Sequence, residues 1–159
     1  MEDIDARVAV AADLPTLAEL YRGLEKEMVE LKEVWRVTEA LPEPADRSLQ
    51  ELLSDPGALV LVASAFGVPA GFLVGTVSGL LPQAGGATHG VIRYIYTDPG
   101  LREIGVGEAL MDAFRDWAGA RGVAGLDAHV SPGHRLAKNF FESNGLTARH
   151  IVMHGGGDS

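Results

Sequence analysis

The sequence predicts one α/β domain whose sheet is mostly antiparallel and contains one central parallel strand pair. Its 159 residues, 47% of them hydrophobic, suffice to bury a core of single-domain size. Residues 58–92 contain no Asp, Glu, Lys or Arg, and the turn sequence Gly67-Val68-Pro69 divides them into two segments of strand length. Farther along, a helical pattern separates two strand patterns, and such a crossover helix typically joins parallel strands.

The chain before residue 58 is predicted to form a short strand and two helices. Arg7–Val10 has strand character, and Asp13 is placed to cap the following helix, with Pro15 in its first turn. The apolar face of that helix recurs at three- and four-residue spacing: Leu14, Leu17, Leu20, Tyr21, Leu24, Met28 and Leu31. The second helix ends at Asp55-Pro56-Gly57 and carries Leu49, Leu52 and Leu53.

The charge-free run is long enough to raise a second interpretation, a membrane span. The turn in its middle argues against one continuous helix. The segments on either side, Leu59–Ala65 and Ala70–Val77, are rich in Val, Thr and Phe, as strands are. We therefore expect a hairpin buried on both faces and no membrane partner.

The second half is predicted to alternate strands and helices. A glycine-rich loop over Pro82–Gly90 leads into the strand Val91–Thr97, the turn Asp98-Pro99-Gly100 and a helix that opens near Gly105. The buried stripe of that helix is Val106, Leu110, Ala113, Phe114 and Trp117. The remaining predicted elements are a strand over 126–130 parallel to Val91–Thr97, a helix over about Arg135–Asn144 with Gly145 at C′, and a final strand Leu146–Met153.

The charge and cysteine content exclude several function classes. The net charge is −9, and residues 1–57 alone hold 14 acidic and 6 basic residues. This argues against a nucleic-acid partner and favours a cationic one, although an acidic helix face also serves solubility alone. The chain has no cysteine, so disulfides, thiolate metal sites and a cysteine nucleophile are excluded. Met1-Glu2-Asp3 lacks a basic n-region and an apolar h-region, so we expect a cytoplasmic location.

The segment Arg102-Glu103-Ile104-Gly105-Val106-Gly107 has the character of a phosphate-binding loop. Two glycines at a helix N-terminus let an anion approach unpaired N–H groups, and Arg102 adds a positive charge. A Walker loop would continue as Gly-Lys-Ser/Thr, but Glu108 follows Gly107. A dinucleotide fingerprint needs Gly or Ala where Leu110 stands.

The third interpretation rests on a resemblance. Arg102-x-x-Gly105-x-Gly107, following Thr97-Asp98-Pro99, resembles the pyrophosphate loop of the GNAT superfamily of acyl-CoA N-acyltransferases. Downstream, Ala137, Glu142 and Gly145 match a second family motif in register. The resemblance implies a GNAT fold over residues 1–154: a mixed sheet of six to seven strands with a central parallel pair, flanked by about four helices. Residues 155–159 are then expected to be a disordered tail.

The resemblance implies acetyl-CoA as co-substrate and no metal. Glu103 replaces the usual first glycine, so we expect its backbone to accept a conformation usual for an L-residue. His134 stands where the family often has Asn, and Phe141 where it often has the Tyr that protonates the departing thiolate. The residues that the resemblance assigns to cofactor binding are Ile95, Tyr96, Thr97, Arg102, Glu103, Ile104, Gly105, Val106, Gly107, Glu108, His134, Ala137, Phe140 and Phe141.

A general base is needed because an amine is an ammonium at neutral pH. His89 lies near where some relatives place a catalytic Glu, and a loop histidine without a role is the alternative. Asp127 and His129, on one face of the fifth strand, are a second candidate pair, although such residues are usually just the less buried face of a sheet. If Trp35 lines the acceptor pocket rather than packing in the core, the nearby acidic residues Glu27, Glu30 and Glu33 would favour a cationic amine.

Three functions remain open from the sequence. The leading one is transfer of an acetyl group from acetyl-CoA to a primary amine by direct attack in a ternary complex. The alternatives are a degenerate domain that binds CoA or a partner protein without catalysis, and transfer of another acyl group. The family also makes a homodimer plausible. His150 and His154 lack a third metal ligand, and Ser131 lacks the nucleophile elbow of a hydrolase.

Overall fold

A computed structural model describes residues 3–131 and 133–156, which form two compact units, one up to His129 and one from Val130. The strands, all in the first unit, are β1 (Ile4–Val8), β2 (Ala58–Ala65), β3 (Val68–Gly79), β4 (Thr88–Thr97) and β5 (Gly125–Ala128). The first unit also holds the helices α1 (Leu14–Leu31), α2 (Trp35–Thr38), α3 (Ala45–Ser54) and α4 (Val106–Ala120). The second unit contains α5 (Arg135–Ser143).

The strands form one sheet in the order β1-β2-β3-β4-β5. The first three pairings are antiparallel, and β4 pairs with β5 in parallel through the α4 crossover. The predicted fold class and the parallel pair are therefore confirmed. Among the described residues the sheet has five strands rather than six to seven, which places the parallel pair at one side of the sheet.

The helices α1 and α3 cover one face of the sheet. Alternate side chains of β2 and β3 point to this face, and they pack against the apolar stripe of α1. Leu17 and Leu49 are completely buried there, and Tyr21 is 1% exposed. Burying a large apolar side chain stabilises the fold by about 1.5–3 kcal/mol, so this layer contributes much of the core energy. The bounds predicted for α1 are confirmed.

The helix α4 covers the other face, and glycines allow its close approach. A Cβ built on Gly75 would collide with the ring of Phe114. A Cβ on Gly90 would lie 3.2 Å from both Phe114 and Ala118. Because the side chains on a strand alternate between faces, the residues next to Gly75 and Gly90 point away from α4. Thr76, next to Gly75, and His89, next to Gly90, therefore point away from α4.

The second unit is a short helix followed by extended chain. The helix α5 ends as predicted, with Gly145 in the left-handed conformation at φ 89° and its N–H 3.1 Å from the carbonyl oxygen of Glu142. The predicted strand Leu146–Met153 is wrong: this segment has no strand partner among the described residues, and Ile151, Val152 and Met153 are exposed. Alternating residues permit a strand, but ladder pairing stabilises it. Of the expected tail, residues 157–159 lie outside the described residues.

The N-terminal prediction needs two corrections. The strand β1 starts earlier than the predicted Arg7–Val10, at Ile4, and ends at Val8. Asp13 does not cap α1 with its side chain; its carboxylate accepts hydrogen bonds from Arg7 and from the N–H of Val10, 2.8 Å away. The carboxylate binds Arg7 instead of capping α1, because a hydrogen bond between two charged groups is stronger than one between neutral groups.

No helix within residues 3–131 and 133–156 has the length and apolar character needed to cross a membrane.

Candidate functional site

The strands β4 and β5 are paired over only part of the length of β4. His89 to Ile92 pair with Gly125 to Ala128, and the last backbone contact joins the His129 N–H to the Ile92 carbonyl oxygen at 3.0 Å. Beyond it, Arg93–Thr97 has no strand partner on this side within the described residues. We call this stretch the open edge of β4. It contains Ile95, Tyr96 and Thr97, three of the residues predicted to bind the cofactor.

A β-bulge marks the start of the open edge. Tyr94 pairs with Val74 and Ile92 pairs with Gly75, so Arg93 is one extra residue on β4. A bulge of this kind bends the strand and increases its local twist. The bulge therefore bends β4 close to the point where its pairing with β5 ends.

The N-terminus of α4 follows the open edge through a tight turn. Asp98 begins the turn by accepting a hydrogen bond from the N–H of Gly100 at 2.9 Å. Gly105 is the N-cap of α4 at φ 103°, and no side chain caps the helix there. The first helical hydrogen bond runs from the N–H of Ala109 to Gly105, so the N–H groups of Val106, Gly107 and Glu108 precede it. Such N–H groups, with the helix dipole, form an anion site.

Glu103 adopts a backbone conformation that is usual for glycine. Its φ is 66°, in the left-handed region, so the expectation of a usual L-residue conformation is wrong. The turn geometry imposes this conformation, which costs an L-residue roughly 1–2 kcal/mol. The Glu103 side chain is exposed, and so is that of Ile104.

The side chain of Arg102 is held by its own chain and by α1. Its Nε donates to the carbonyl oxygen of Thr97 at 2.9 Å. Its Nη2 lies 3.0 Å and 2.7 Å from the two carboxylate oxygens of Glu27. Glu27 is thus paired with Arg102, whereas Glu30 and Glu33 are exposed.

Three polar side chains from neighbouring strands lie together on the face away from α4. Thr76 of β3 and Asp127 of β5 are both register partners of Val91, and His89 lies two residues before Val91 on β4. The Nδ1 atom of His89 lies 3.5 Å from Oδ2 of Asp127, without the geometry of a hydrogen bond. We call Thr76, His89 and Asp127 the polar triplet.

Two atoms of the polar triplet are shielded from solvent without a partner. The Thr76 hydroxyl oxygen and His89 Nδ1 have no hydrogen-bond partner. Leaving a buried polar atom unsatisfied costs about 1–3 kcal/mol, so such atoms often mark a place where a ligand or water binds. The structure thus brings together His89 and Asp127, which the sequence suggested separately, His89 as a single candidate base and Asp127 as the partner of His129. His129 is exposed, and it does not belong to this group.

An aromatic cluster lies between the sheet and the first two helices. Tyr94 contacts Tyr21 and Trp35 edge to face, at ring-centroid distances of 6.0 Å and 6.4 Å. Burial raises the pKa of Tyr94 and raises that of Tyr21 to about 12, so both hydroxyls stay protonated at neutral pH. Trp35 is 5% exposed and packs in this core, which is the ordinary packing that the sequence favoured over a place in an acceptor pocket.

The predicted residues of the second unit lie on α5 and immediately before it. His134 precedes α5, and its carbonyl oxygen accepts the N–H of Lys138 at 3.1 Å. Ala137 and Phe140 are half-buried, and Phe141 is buried with its ring edge-on to Phe140 at 5.3 Å. No metal-binding group of three His, Asp or Glu side chains is found in the described parts of the chain.

Sequence reasoning missed Thr76 and the contact between Glu27 and Arg102. Thr76 reads as an ordinary strand residue, and only the register of β3 against β4 places it near His89. Glu27 and Arg102 are 75 residues apart in the chain. A signal for that pair was present: Glu27 lies three residues after the buried stripe residue Leu24, so it borders the buried face of α1.

Comparison with solved structures places this arrangement in a known fold. A transcriptional regulator from Bacillus halodurans C-125 matches with a TM-score of 0.77 and 21% identity over 96% of this chain and 99% of that one. An aminoglycoside acetyltransferase from an uncultured soil metagenomic sample, in complex with trehalose, has a TM-score of 0.72 and 21% identity over 97% and 95%. AAC(6')-Iy in complex with the bisubstrate analogue CoA-S-monomethyl-acetylneamine has a TM-score of 0.71 and 18% identity over 96% and 97%.

At these identities the structural likeness shows the fold alone. No curated protein sequence matches the chain. The family model described as the acetyltransferase (GNAT) family matches residues 18–146, which include the open edge, the glycine turn and α5. The chain therefore belongs to the GNAT acetyltransferase family.

Proposed function

We propose that this protein transfers an acetyl group from acetyl-CoA to a primary amine by direct attack within a ternary complex. The observation that carries the proposal is the open edge of β4 leading directly into the uncapped N-terminus of α4. Unpaired backbone groups suit an extended chain that contains amides, and free helical N–H groups suit a pyrophosphate. Both are parts of CoA.

The residues assigned to the donor fall into two sets. Ile95, Tyr96 and Thr97 line the pantetheine arm, and residues 102–108 bind the pyrophosphate, with Arg102 positioning the loop. From α5 and its N-cap, the family motif assigns His134, Ala137, Phe140 and Phe141 to the same donor. Bound acetyl-CoA supplies the thioester that the amine attacks.

The acceptor is assigned to the polar triplet. A primary amine arrives as an ammonium, and the Asp127 carboxylate attracts its charge. The ammonium can donate a hydrogen bond to the hydroxyl oxygen of Thr76. His89 then takes the proton, directly or through water, so that the neutral amine can attack. Phe141 cannot protonate the thiolate, but a thiol with a pKa of about 8.5 leaves without obligatory protonation.

The test has two steps. Thermal unfolding with and without acetyl-CoA measures donor binding, for which we expect a rise in Tm that depends on ligand concentration. Release of free CoA thiol across a panel of cationic, neutral and anionic amines then measures transfer. Turnover of at least one primary amine supports the proposal, and the absence of thiol release with every amine contradicts it.

The second candidate function is binding of CoA without catalysis. Phe141 favours it, because this buried ring replaces the usual acid of the family. A rise in Tm with acetyl-CoA, together with no thiol release, would support this second function over the first.

A further inference from the structure

The ion pair between Glu27 and Arg102 lies in a partly buried environment. The two side chains are 25% (Arg102) and 21% (Glu27) exposed. The guanidinium carbon of Arg102 also lies 5.8 Å from the centre of the Tyr96 ring. Both carboxylate oxygens contact the single nitrogen Nη2, and the limited exposure of the two side chains reduces solvent screening of the pair.

These contacts leave Arg102 poorly suited to act as a free cation for phosphate. Its Nε is bound to the Thr97 carbonyl oxygen, and its charge is balanced by a carboxylate at 2.7 Å. A phosphate that drew the guanidinium towards itself would strain both of these contacts, and weakening an ion pair is costly in a partly buried site. Arg102 instead joins three segments: its own turn, the end of β4 and α1.

We propose that Glu27 is a positioning residue for the donor loop. The carboxylate holds Arg102, and Arg102 holds the end of β4 through Thr97, so that the turn before α4 keeps its N–H groups in place for a pyrophosphate. This inference rests on the proposed binding of acetyl-CoA. It also removes Glu27 from the acidic residues that can attract a cationic acceptor.

The first test compares Glu27→Gln with Glu30→Gln. Both variants remove one negative charge from α1, but Glu30 is exposed. We expect Glu27→Gln to raise the Kd for free CoA about tenfold in calorimetric titration, and Glu30→Gln to leave it within about twofold. If Arg102 were a phosphate ligand restrained by Glu27, Glu27→Gln would tighten CoA binding instead, and this outcome would overturn the inference.

The second test exchanges the charges. Arg102→Glu alone should weaken CoA binding, and Glu27→Arg together with Arg102→Glu should restore it partly, since the tether re-forms. If Arg102 contacted phosphate, the exchanged pair would bind worse than either single variant, because Glu at 102 would repel the anion. The Tm of each variant shows whether it is folded. Where a charge exchange prevents folding, Gln at the same position is the milder substitution.

These tests separate the inference from the proposed function. Failure of the unaltered protein to bind CoA contradicts the proposed function. Binding by the unaltered protein with equal affinities of Glu27→Gln and Glu30→Gln contradicts only the role of Glu27.

Discussion

At the scale of single residues, His89 has the contacts expected of a proton acceptor for the amine. Its Nδ1 is shielded and lacks a hydrogen bond, and the Asp127 carboxylate lies 3.5 Å away. In the proposed reaction, Asp127 faces the imidazole that takes the proton of the amine. This arrangement gives Asp127 a part in the same step.

We predict that His89→Gln lowers kcat for the best amine about 100-fold, because general base catalysis typically contributes 10²–10⁴-fold. The KM for acetyl-CoA should change little, since His89 lies outside the open edge of β4. His150→Gln is the matched control, because His150 lies in the exposed chain after α5. Steady-state kinetics of both variants, with the amine varied at saturating acetyl-CoA and then with acetyl-CoA varied, measures kcat and this KM. Equal kcat values for the two would exclude His89 as the base.

Asp13 gives a second prediction at this scale. The hydrogen bond from Arg7 has the largest effect on the pKa of Asp13, followed by that from the N–H of Val10. Together they lower this pKa from 3.8 to about 2. A carboxyl with a lowered folded-state pKa stabilises the fold above its unfolded pKa, and this stabilisation is lost as the pH falls through the folded value. It should therefore be complete above about pH 4 and disappear towards pH 2.

We expect Asp13→Asn to lower the free energy of unfolding by about 1 kcal/mol at pH 7, the usual net contribution of an intramolecular hydrogen bond. The difference from the unaltered protein should shrink between about pH 4 and pH 2. Urea unfolding followed across this range measures it, with exposed Asp112→Asn as the control. A difference that stays constant down to pH 2 would contradict the assigned pKa.

At the scale of elements, α4 combines the proposed donor site at its first turn with close packing along its length. Gly107 in the first turn and Gly119 in the last provide a matched pair of positions. We predict that Gly107→Val abolishes the rise in Tm with acetyl-CoA, because the branched side chain keeps phosphate from the backbone. Gly119→Val should retain that rise, since a Cβ there meets nothing within 4 Å. Retention of the rise by Gly107→Val would contradict the loop assignment.

The packing of α4 on the sheet depends on Gly75. A Cβ at this position would overlap the ring of Phe114, which is fully buried. We predict that Gly75→Ala lowers the free energy of unfolding by about 1–3 kcal/mol, as overpacked cores do. Gly79→Ala, at the end of the same strand with open space around it, should change it little. Denaturant unfolding compares the two variants, and equal stabilities would contradict this packing.

The elements differ in how well the sequence predicts them. The bounds of α1 and α4 follow from long apolar stripes, and the hairpin β2–β3 follows from an uncharged run around a turn. Leu146–Met153 fails because a strand needs a partner that no local pattern specifies. For the same reason, the position of Thr76 beside His89 depends on the register of two strands, which their sequences alone do not determine.

At the scale of the whole molecule, the acidic residues are concentrated in the part of the chain that forms the first three helices. Residues 1–57, which include α1, α2 and α3, carry 14 acidic and 6 basic residues. α1 and α3 cover the face away from α4, towards which the polar triplet also points. A negative field on that side concentrates cations near the proposed acceptor site.

We therefore predict that turnover of cationic amines depends on salt. Between about 0.02 M and 0.5 M ionic strength, kcat/KM for a polyvalent cationic amine should fall several-fold, because screening shortens the reach of surface charges. The same change should affect a neutral primary amine of similar size much less. Thiol-release assays at a series of NaCl concentrations compare them. Equal salt dependence for both amines would contradict a role for the acidic helices.

The exposed chain after α5 determines where oxidants act on this protein. There is no cysteine, so methionine is the principal target. Met28 and Met111 are buried, at 4% and 0% exposure, whereas Met153 is 88% exposed. Mild peroxide should therefore convert Met153 to its sulfoxide while those two thioethers persist. The rate of that conversion then reports whether the end of the chain becomes covered when the protein binds a substrate or a second copy of itself.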